Sequence, residues 1–403
     1  MTFFNSVKNK LLGFLLPLGH YICILPEIQS PKSNYKGVFR QVYTVLILSL
    51  ALFLHASQIF ALYQTTTEEI FIFDEVLRNY LITSLHFSCL LKCVFLRSQD
   101  SKLLIRRILD FEKTLETSDD DEIKKIYKYH VDMATSVKKK FITGVLLISM
   151  FYSSAPVSRE PYRIERANNT IMVRQIPMSM WVPERWNYWV ASLYSGSAGV
   201  YLTVYFTAAD LTLFCFIAFA SCQLQILIYN IENFNNISLK MAFIKGYSKE
   251  KSYRLFQKEC IIFHQEIISY VQILNRNLKT LMLIDIIPGS IQIACSLFQM
   301  VKNLNLLQCI ILCEFTLTLI FRIFMFTSTI HNMADLSQQI GFAWYNIDWM
   351  ELPRDVRHNL IFCIMRSQRP LWITLGDIDT VSMGSFLAVI KGAYSYLMVL
   401  LTV

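Results

Sequence analysis

Charge is what this sequence most lacks. Only 17% of its 403 residues are Asp, Glu, Lys or Arg, while 54% are hydrophobic and 14% aromatic; a soluble domain carries roughly a quarter charged residues. That shortage excludes a soluble globular protein and leaves an all-α polytopic membrane protein as the fold class. Catalytic signatures are missing as well. The chain holds no HExxH, GxSxG, GxxxxGK or CxxC pattern, and its seven His are scattered singles, His264 and His331 among them, that gather into no metal site. Neither an enzyme nor a cofactor is expected. None of the ten Cys falls in the two stretches placed outside the cell below, 64–75 and 158–189, so no disulfide framework is indicated. A DRY-like triplet after the third span and an NPxxY in the last are both absent, which speaks against a G-protein-coupled receptor. A transporter stays open as an alternative through breaks near Pro288-Gly289 and Pro370, although no internal repeat supports it.

Long apolar runs are what the chain does have. Stretches of about 20 residues, the length that crosses a bilayer, lie at 38–63, 76–96, 141–157, 281–301, 306–330 and 378–403, and a longer one at 189–229 has room for two crossings. Loop charge decides between one crossing and two. The segments before residue 42 and at 97–140, 230–280 and 331–370 hold 28 of the 38 Lys and Arg, whereas 64–75, 158–189 and 302–305 hold six. Basic and poor loops alternate only if the fourth run crosses once. The positive-inside rule therefore gives seven transmembrane helices, a cytoplasmic N-terminus and an extracellular C-terminus. The net charge of +8 then reflects topology and not a nucleic-acid footprint.

This reading divides the chain into a cytoplasmic N-terminal segment (1–37), helices one to four with the external loop 158–189 (38–230), a cytoplasmic helical extension (231–280), helices five and six (281–330), a cytoplasmic anchor helix and hairpin (331–377), and a last helix (378–403). Asn168, in the sequon Asn168-Asn169-Thr170, falls outside and is the expected glycosylation site. The start, MTFFNSVKNK followed by LLGFLLPLG, has the look of a signal peptide, but Pro17 interrupts the apolar run and His20 stands where a small residue would be cleaved. An uncleaved amphipathic segment at the cytoplasmic surface is expected. In the cytoplasmic extension Leu255, Ile261, Ile268, Val271 and Leu278 recur at helical spacing. That face wants a partner, and the inner helices together form an expected intracellular anchor layer and subunit interface.

The final stretch, RSQRPLWITLGDIDTVSMGSFLAVIKGAYSYLMVLLTV, breaks at Pro370 and Gly376 and then runs as an apolar helix. At 3.6 residues per turn Gly392, Ser395, Val399, Thr402 and Val403 fall along one stripe. Copies meeting around an axis would make its lower part wettable and its Val399–Val403 turn an apolar constriction able to gate ions by dewetting. The alternative is a lipid-facing or core helix whose Ser and Thr bond back to their own backbone.

A seven-span chain of this length with SLYSGSAGVYLT opening the fourth span, and above all with that tail, resembles the insect odorant receptors. The tail carries the specific signal: Arg369-Pro370, the Leu371–Gly376 hairpin, and Lys391, Ala393, Tyr394, Ser395 and Tyr396 in the last helix. The resemblance implies a subunit of a ligand-gated, non-selective cation channel that joins the family's shared co-receptor in a heterotetramer, with the last helices lining one pore. Tyr396, Met398, Val399 and Leu400 match a Tyr-x-Met-Val-Leu run in the co-receptor, so the family's gate valine falls on Val399. The chain lacks the co-receptor's long insertion before span five and its polar ending, which makes it an odour-tuning subunit. Gustatory receptors share the architecture but end differently, and they are the runner-up. By the same resemblance the odorant site lies in the outer half of the membrane among spans two, three, four and six with five beside them, and the receptor sits in the plasma membrane of a sensory dendrite or cilium. The expected lining is Tyr80, Thr83 and Phe87; Ile148, Phe151 and Tyr152; Tyr194, Ser197 and Tyr201; Phe298; and Phe315. Such an aromatic cage suits a small volatile bearing one oxygen function.

Overall fold

The computed structural model describes residues 10–26, 34–67, 73–118, 120–158, 162–166, 169–173, 176–183, 185–302 and 306–402. Among them eleven α-helices carry nearly all of the regular structure: α1 (Leu15–Tyr21), α2 (Asn34–Thr67), α3 (Phe73–Leu96), α4 (Gln99–Thr117), α5 (Asp121–Ser158), α6 (Tyr188–Glu232), α7 (Phe234–Lys245), α8 (Lys249–Lys302), α9 (Leu306–Asn346), α10 (Arg354–Ser367) and α11 (Met383–Thr402). Two short antiparallel hairpins, β1 (Tyr162–Arg166) with β2 (Asn169–Val173) and β3 (Thr374–Leu375) with β4 (Asp379–Thr380), and a 3-10 turn at Trp349–Glu351 make up the rest. Six helices, α2, α3, α6, α8, α9 and α11, are long and apolar enough to cross a membrane. The remaining expected span, 141–157, forms the far end of α5.

Local chemistry sets the boundaries. Ser98 caps α4 by accepting the Ser101 N–H, and Asn187 caps α6 by accepting the Trp189 N–H, the role short polar side chains play where the first turn leaves its donors unpaired. The long fourth run is one unbroken helix of 45 residues with no turn at Asp210. Pro288 does not break α8 either, so the midplane break that a transporter would use there is not present. The last span begins at Met383, five residues later than the apolar run suggested. Asp379 and Thr380 pair with Leu375 and Thr374 instead, and Gly376 makes the turn at φ +59°, a conformation that disfavours side chains with a Cβ. Its N–H is held by the Lys279 carbonyl of α8.

Around α6 the other helices assemble: it packs against α3, α5, α8 and α9, and from Ala208 to Leu224 every side chain is buried. Below the spans, the ends of α8 and α9 join α7 and α10 in a second layer. There Phe234 meets Tyr253, Phe256 and Trp344 at ring separations of 5.3–5.9 Å. The N-terminal stretch differs from expectation. It threads into the bundle, with Leu11, Leu12, Leu15 and Ile24 fully buried, because its backbone finds polar partners there. Glu112 and Tyr127 both accept or share the Leu11 N–H, Lys138 donates to the Leu11 carbonyl, and the Tyr205 hydroxyl donates to Ile22. Burial raises the Glu112 carboxyl above its usual range, opposed by the hydrogen bonds from Tyr127 and Leu11.

Candidate functional site

Four helices, α3, α5, α6 and α9, leave a cavity of about 90 Å³ between them. Into it α3 turns Ile82, Leu85 and His86, and α5 turns Val145, Ile148, Ser149 and Ser153. From α6 come Ser195, Gly196, Gly199, Val200, Thr203 and Phe206, and from α9 Phe315, Thr318, Leu319 and Arg322. The room exists partly because α6 presents two glycines. A Cβ on Gly199 would sit 3.5 Å from the Met178 sulfur.

Pro177 and Met178 close the cavity from above. This lid is fastened on both sides. Trp181 exchanges backbone and hydroxyl hydrogen bonds with Ser57 of α2 at 3.1 and 3.2 Å, the Met178 N–H donates to Ser195 Oγ at 3.3 Å, and Gln58 Nε2 donates to the Met178 sulfur at 3.3 Å. Gln58 then accepts His86 at its other end, 3.1 Å away.

The floor is charged. Lys92 of α3 lies 2.5 Å from both Asp210 of α6 and Asp285 of α8, and Arg322 of α9 closes the circle at 2.7 Å to Asp210 and 2.6 Å to Asp285. Two acids and two bases alternate, so the ring is neutral. Phe206 forms part of the cavity wall and lies 5.9 Å from the Lys92 ammonium and 5.1 Å from the Arg322 guanidinium. Any one of these charges alone in a water-poor interior would be costly, and each has two opposite partners. The ring pins four spans to one another directly beneath the cavity.

Against this geometry the expected residues separate. Ile148 and Phe315 line the cavity. Tyr201 points elsewhere, donating to the Ile47 carbonyl of α2, and Tyr194 packs edge-on against Trp186 at 5.4 Å. Ser197 bonds back to the Tyr194 carbonyl. Thr83 is buried and Tyr80 half-buried outside the lining, while Phe87 stacks on His55. Phe298 meets Phe73 at 5.9 Å, and Phe151 is half-buried beyond the lining residues. The side chain of Tyr152 lies outside the described residues, as do Asn168 and Val403. On α11, Ser395, Val399 and Thr402 are all exposed; Ser395 Oγ donates to the Lys391 carbonyl and Thr402 Oγ1 to that of Val399. Lys391 has no acidic partner among the described residues.

Lys92, Asp210, His86 and Met178 were not singled out by sequence. A signal for two of them existed, since Lys92 and Asp210 are ionisable residues inside apolar runs that also hold Asp285 and Arg322, two of each sign.

Comparison with known proteins follows from this arrangement. Residues 72–394 match the sequence profile of the family described as 7tm Odorant receptor. Odorant receptor 10 of Aedes albopictus is 22% identical over 332 residues, covering 80% of this chain and 83% of that protein. Odorant receptor Or2 of Anopheles gambiae is 29% identical over 139 residues, 34% of this chain, and the match spans 37% of Or2. In three dimensions the chain is similar to the insect olfactory receptor OR5 from Machilis hrabei in complex with eugenol, with a TM-score of 0.76, 16% identity and coverage of 97% and 98% of the two chains.

Proposed function

The chain belongs to the 7tm odorant receptor family, and from that premise we propose that it is the odour-tuning subunit of a ligand-gated, non-selective cation channel formed with the family's co-receptor. It is a multi-pass membrane protein; in the proposed topology the N-terminus is cytoplasmic, the C-terminus external, and the receptor resides in the plasma membrane of sensory dendrites. The observation that carries the reading is the lidded cavity between α3, α5, α6 and α9. Its lid comes from the loop assigned to the outside, so the cavity lies towards the side from which a volatile arrives. OR5, a protein of the same fold, is named with eugenol bound, which fits a volatile of that scale as the ligand here.

Volume argues for movement on binding. A dry cavity of roughly 150 Å³ admits benzene, and this one measures about 90 Å³. A volatile of about ten heavy atoms must displace side chains, and the unbranched Met178 is the most adaptable of them. Ligand entry then bears on Phe206 and Arg322, and through the ring on α8, against which α11 packs. The ligand opens the channel by as much as it prefers the open arrangement over the closed one. On α11 the exposed Val399 is the proposed gate, with Ser395 and Thr402 facing the same conduit.

The test is whole-cell current in cells expressing this chain alone, the co-receptor alone, and both, during a panel of volatile alcohols, esters, aldehydes and terpenes. A non-selective cation current evoked only in the combination is expected. Absence of any volatile-evoked current at normal surface abundance would overturn the reading.

A further inference from the structure

We infer that the cavity is built for a ligand with a hydroxyl group, an alkanol or phenol, and that His86 is the residue that selects it. This rests on the cavity being the odorant site proposed above. The argument begins at the lid. A thioether sulfur has lone pairs and no proton, so it can only accept. The Gln58 amide therefore presents its Nε2 to Met178, at 3.3 Å, and its carbonyl oxygen to His86 Nδ1, at 3.1 Å. A carbonyl oxygen only accepts, so Nδ1 must carry the proton. The tautomer of neutral His86 follows from the network: Nε2 is bare and acts as an acceptor.

His86 is 5% exposed, and its Nε2 has no hydrogen-bond partner among the described residues. It lines the cavity. Across the lining stands Arg322, a donor that cannot accept. Its Nε goes to Asp210 and its Nη2 to Asp285, and neither of those pairs uses Nη1. Five hydroxyls also line it, those of Ser149, Ser153, Ser195, Thr203 and Thr318; each can donate or accept, and Ser195 Oγ already accepts the Met178 N–H. The cavity thus offers an acceptor at His86, and donors at Arg322 and the five hydroxyls, between apolar side chains. Among small single-oxygen functions, hydroxyl alone both donates and accepts. Ethers, ketones, aldehydes and esters can accept from Arg322 but leave the His86 nitrogen unpaired, and leaving a buried polar group unpaired is how a site rejects an analogue lacking the hydroxyl.

The experiment compares pairs of equal heavy-atom count, 1-alkanols against isomeric methyl ethers and phenols against toluene-type analogues, in cells expressing the chain with the co-receptor. Half-maximal concentrations should favour the hydroxyl compound by roughly tenfold or more. His86→Phe should collapse that ratio towards one while keeping the ether response. Gln58→Leu, remote from the ligand, should do the same in part by freeing the imidazole to place its proton on either nitrogen. A ratio near one in the unaltered protein, or an unchanged ratio in Gln58→Leu and in His86→Phe, would overturn the hydroxyl assignment alone. Should no volatile of any class evoke current at normal surface abundance, the receptor reading falls first and this inference with it.

Discussion

Two helices of this protein, α6 and α11, are both apolar enough to span a membrane, yet they live in opposite surroundings. Of the most apolar 18-residue stretch of each, 94% is buried within the protein in α6 and 11% in α11. Hydrophobicity alone therefore does not say what a membrane helix touches. In α6 it reflects contact with the helices gathered around it, α3, α5, α8 and α9 foremost; in α11 only one stripe, including Val389 and Ala393, packs inward against α8 and α9. The remainder, with Tyr394, Met398 and Val399, is left for lipid or other subunits. One helix is the hub of the fold, and the other leaves most of its surface uncovered by this chain.

If that contrast is right, substitutions in α6 should act on stability and those in α11 on function. The largest effect is expected for Asp210→Ala. It leaves Lys92 and Arg322 sharing Asp285 alone, and breaking a buried pair costs roughly 3–5 kcal/mol. Thermal unfolding of detergent-solubilised protein reads this directly. Adding Lys92→Met to Asp210→Leu returns the site to one Arg322–Asp285 pair and should recover much of the loss. A single variant as stable as the double one would show that the ring is wetter than its burial indicates.

Next comes the apolar comparison. Leu213, fully buried in α6, should cost about 2–5 kcal/mol on truncation to Ala through the packing lost around the void. Leu401→Ala, at an exposed position of α11, should change the same melting curve little. Equal losses would mean that α11 packs in the isolated subunit more tightly than its exposure implies. Weaker still is Arg276→Ala on the cytoplasmic face. The Arg276–Asp100 pair is 2.6 Å long, but Arg276 is largely exposed, and such pairs are worth roughly 0.2–1 kcal/mol.

The same contrast explains what could be read in the sequence. Seven apolar runs, one unbroken fourth helix and the hairpin before the last helix were all legible, because length, loop charge and the Pro370 and Gly376 breaks are local properties. Which face of each helix looks inward is not local. Tyr194, Ser197 and Tyr201 share a face of α6, but it turns towards α2 and the lid, and the cavity is lined by Gly196, Gly199, Thr203 and Phe206. The missing pointer was charge. Ionisable side chains inside a bilayer face the bundle interior, so counting back from Asp210 by four, seven, eleven and fourteen reaches 206, 203, 199 and 196. From Arg322, steps of three, four and seven reach Leu319, Thr318 and Phe315, and from Lys92 a step of seven reaches Leu85. Aromatic periodicity pointed away from the cavity on two helices because an aromatic packs equally well against any neighbour, while a buried charge has only one direction in which it is neutralised. The buried N-terminal segment was hidden for a related reason: its partners, Glu112, Tyr127 and Lys138, come from helices a hundred residues away.

The smallest stability effect belongs to Val399→Ala, and it is the most informative for α11. Val399 is 62% exposed, so in the isolated subunit truncation removes few contacts and the melting temperature should move within the range of ordinary surface changes, about 0.5 kcal/mol. Conduction is another matter. If the exposed side of α11 lines a pore, removing two methyl groups from its apolar constriction widens it and eases wetting. The odorant-evoked current in cells carrying both subunits should then change in ion permeability or pore block, while the odorant concentration for half response stays within a few-fold, since the cavity lies on α3, α5, α6 and α9 and not on α11. A variant that shifts the odorant dose dependence and leaves permeation untouched would place Val399 in lipid or at a packing contact, and the exposed face of α11 would have to find its partner somewhere other than around a pore.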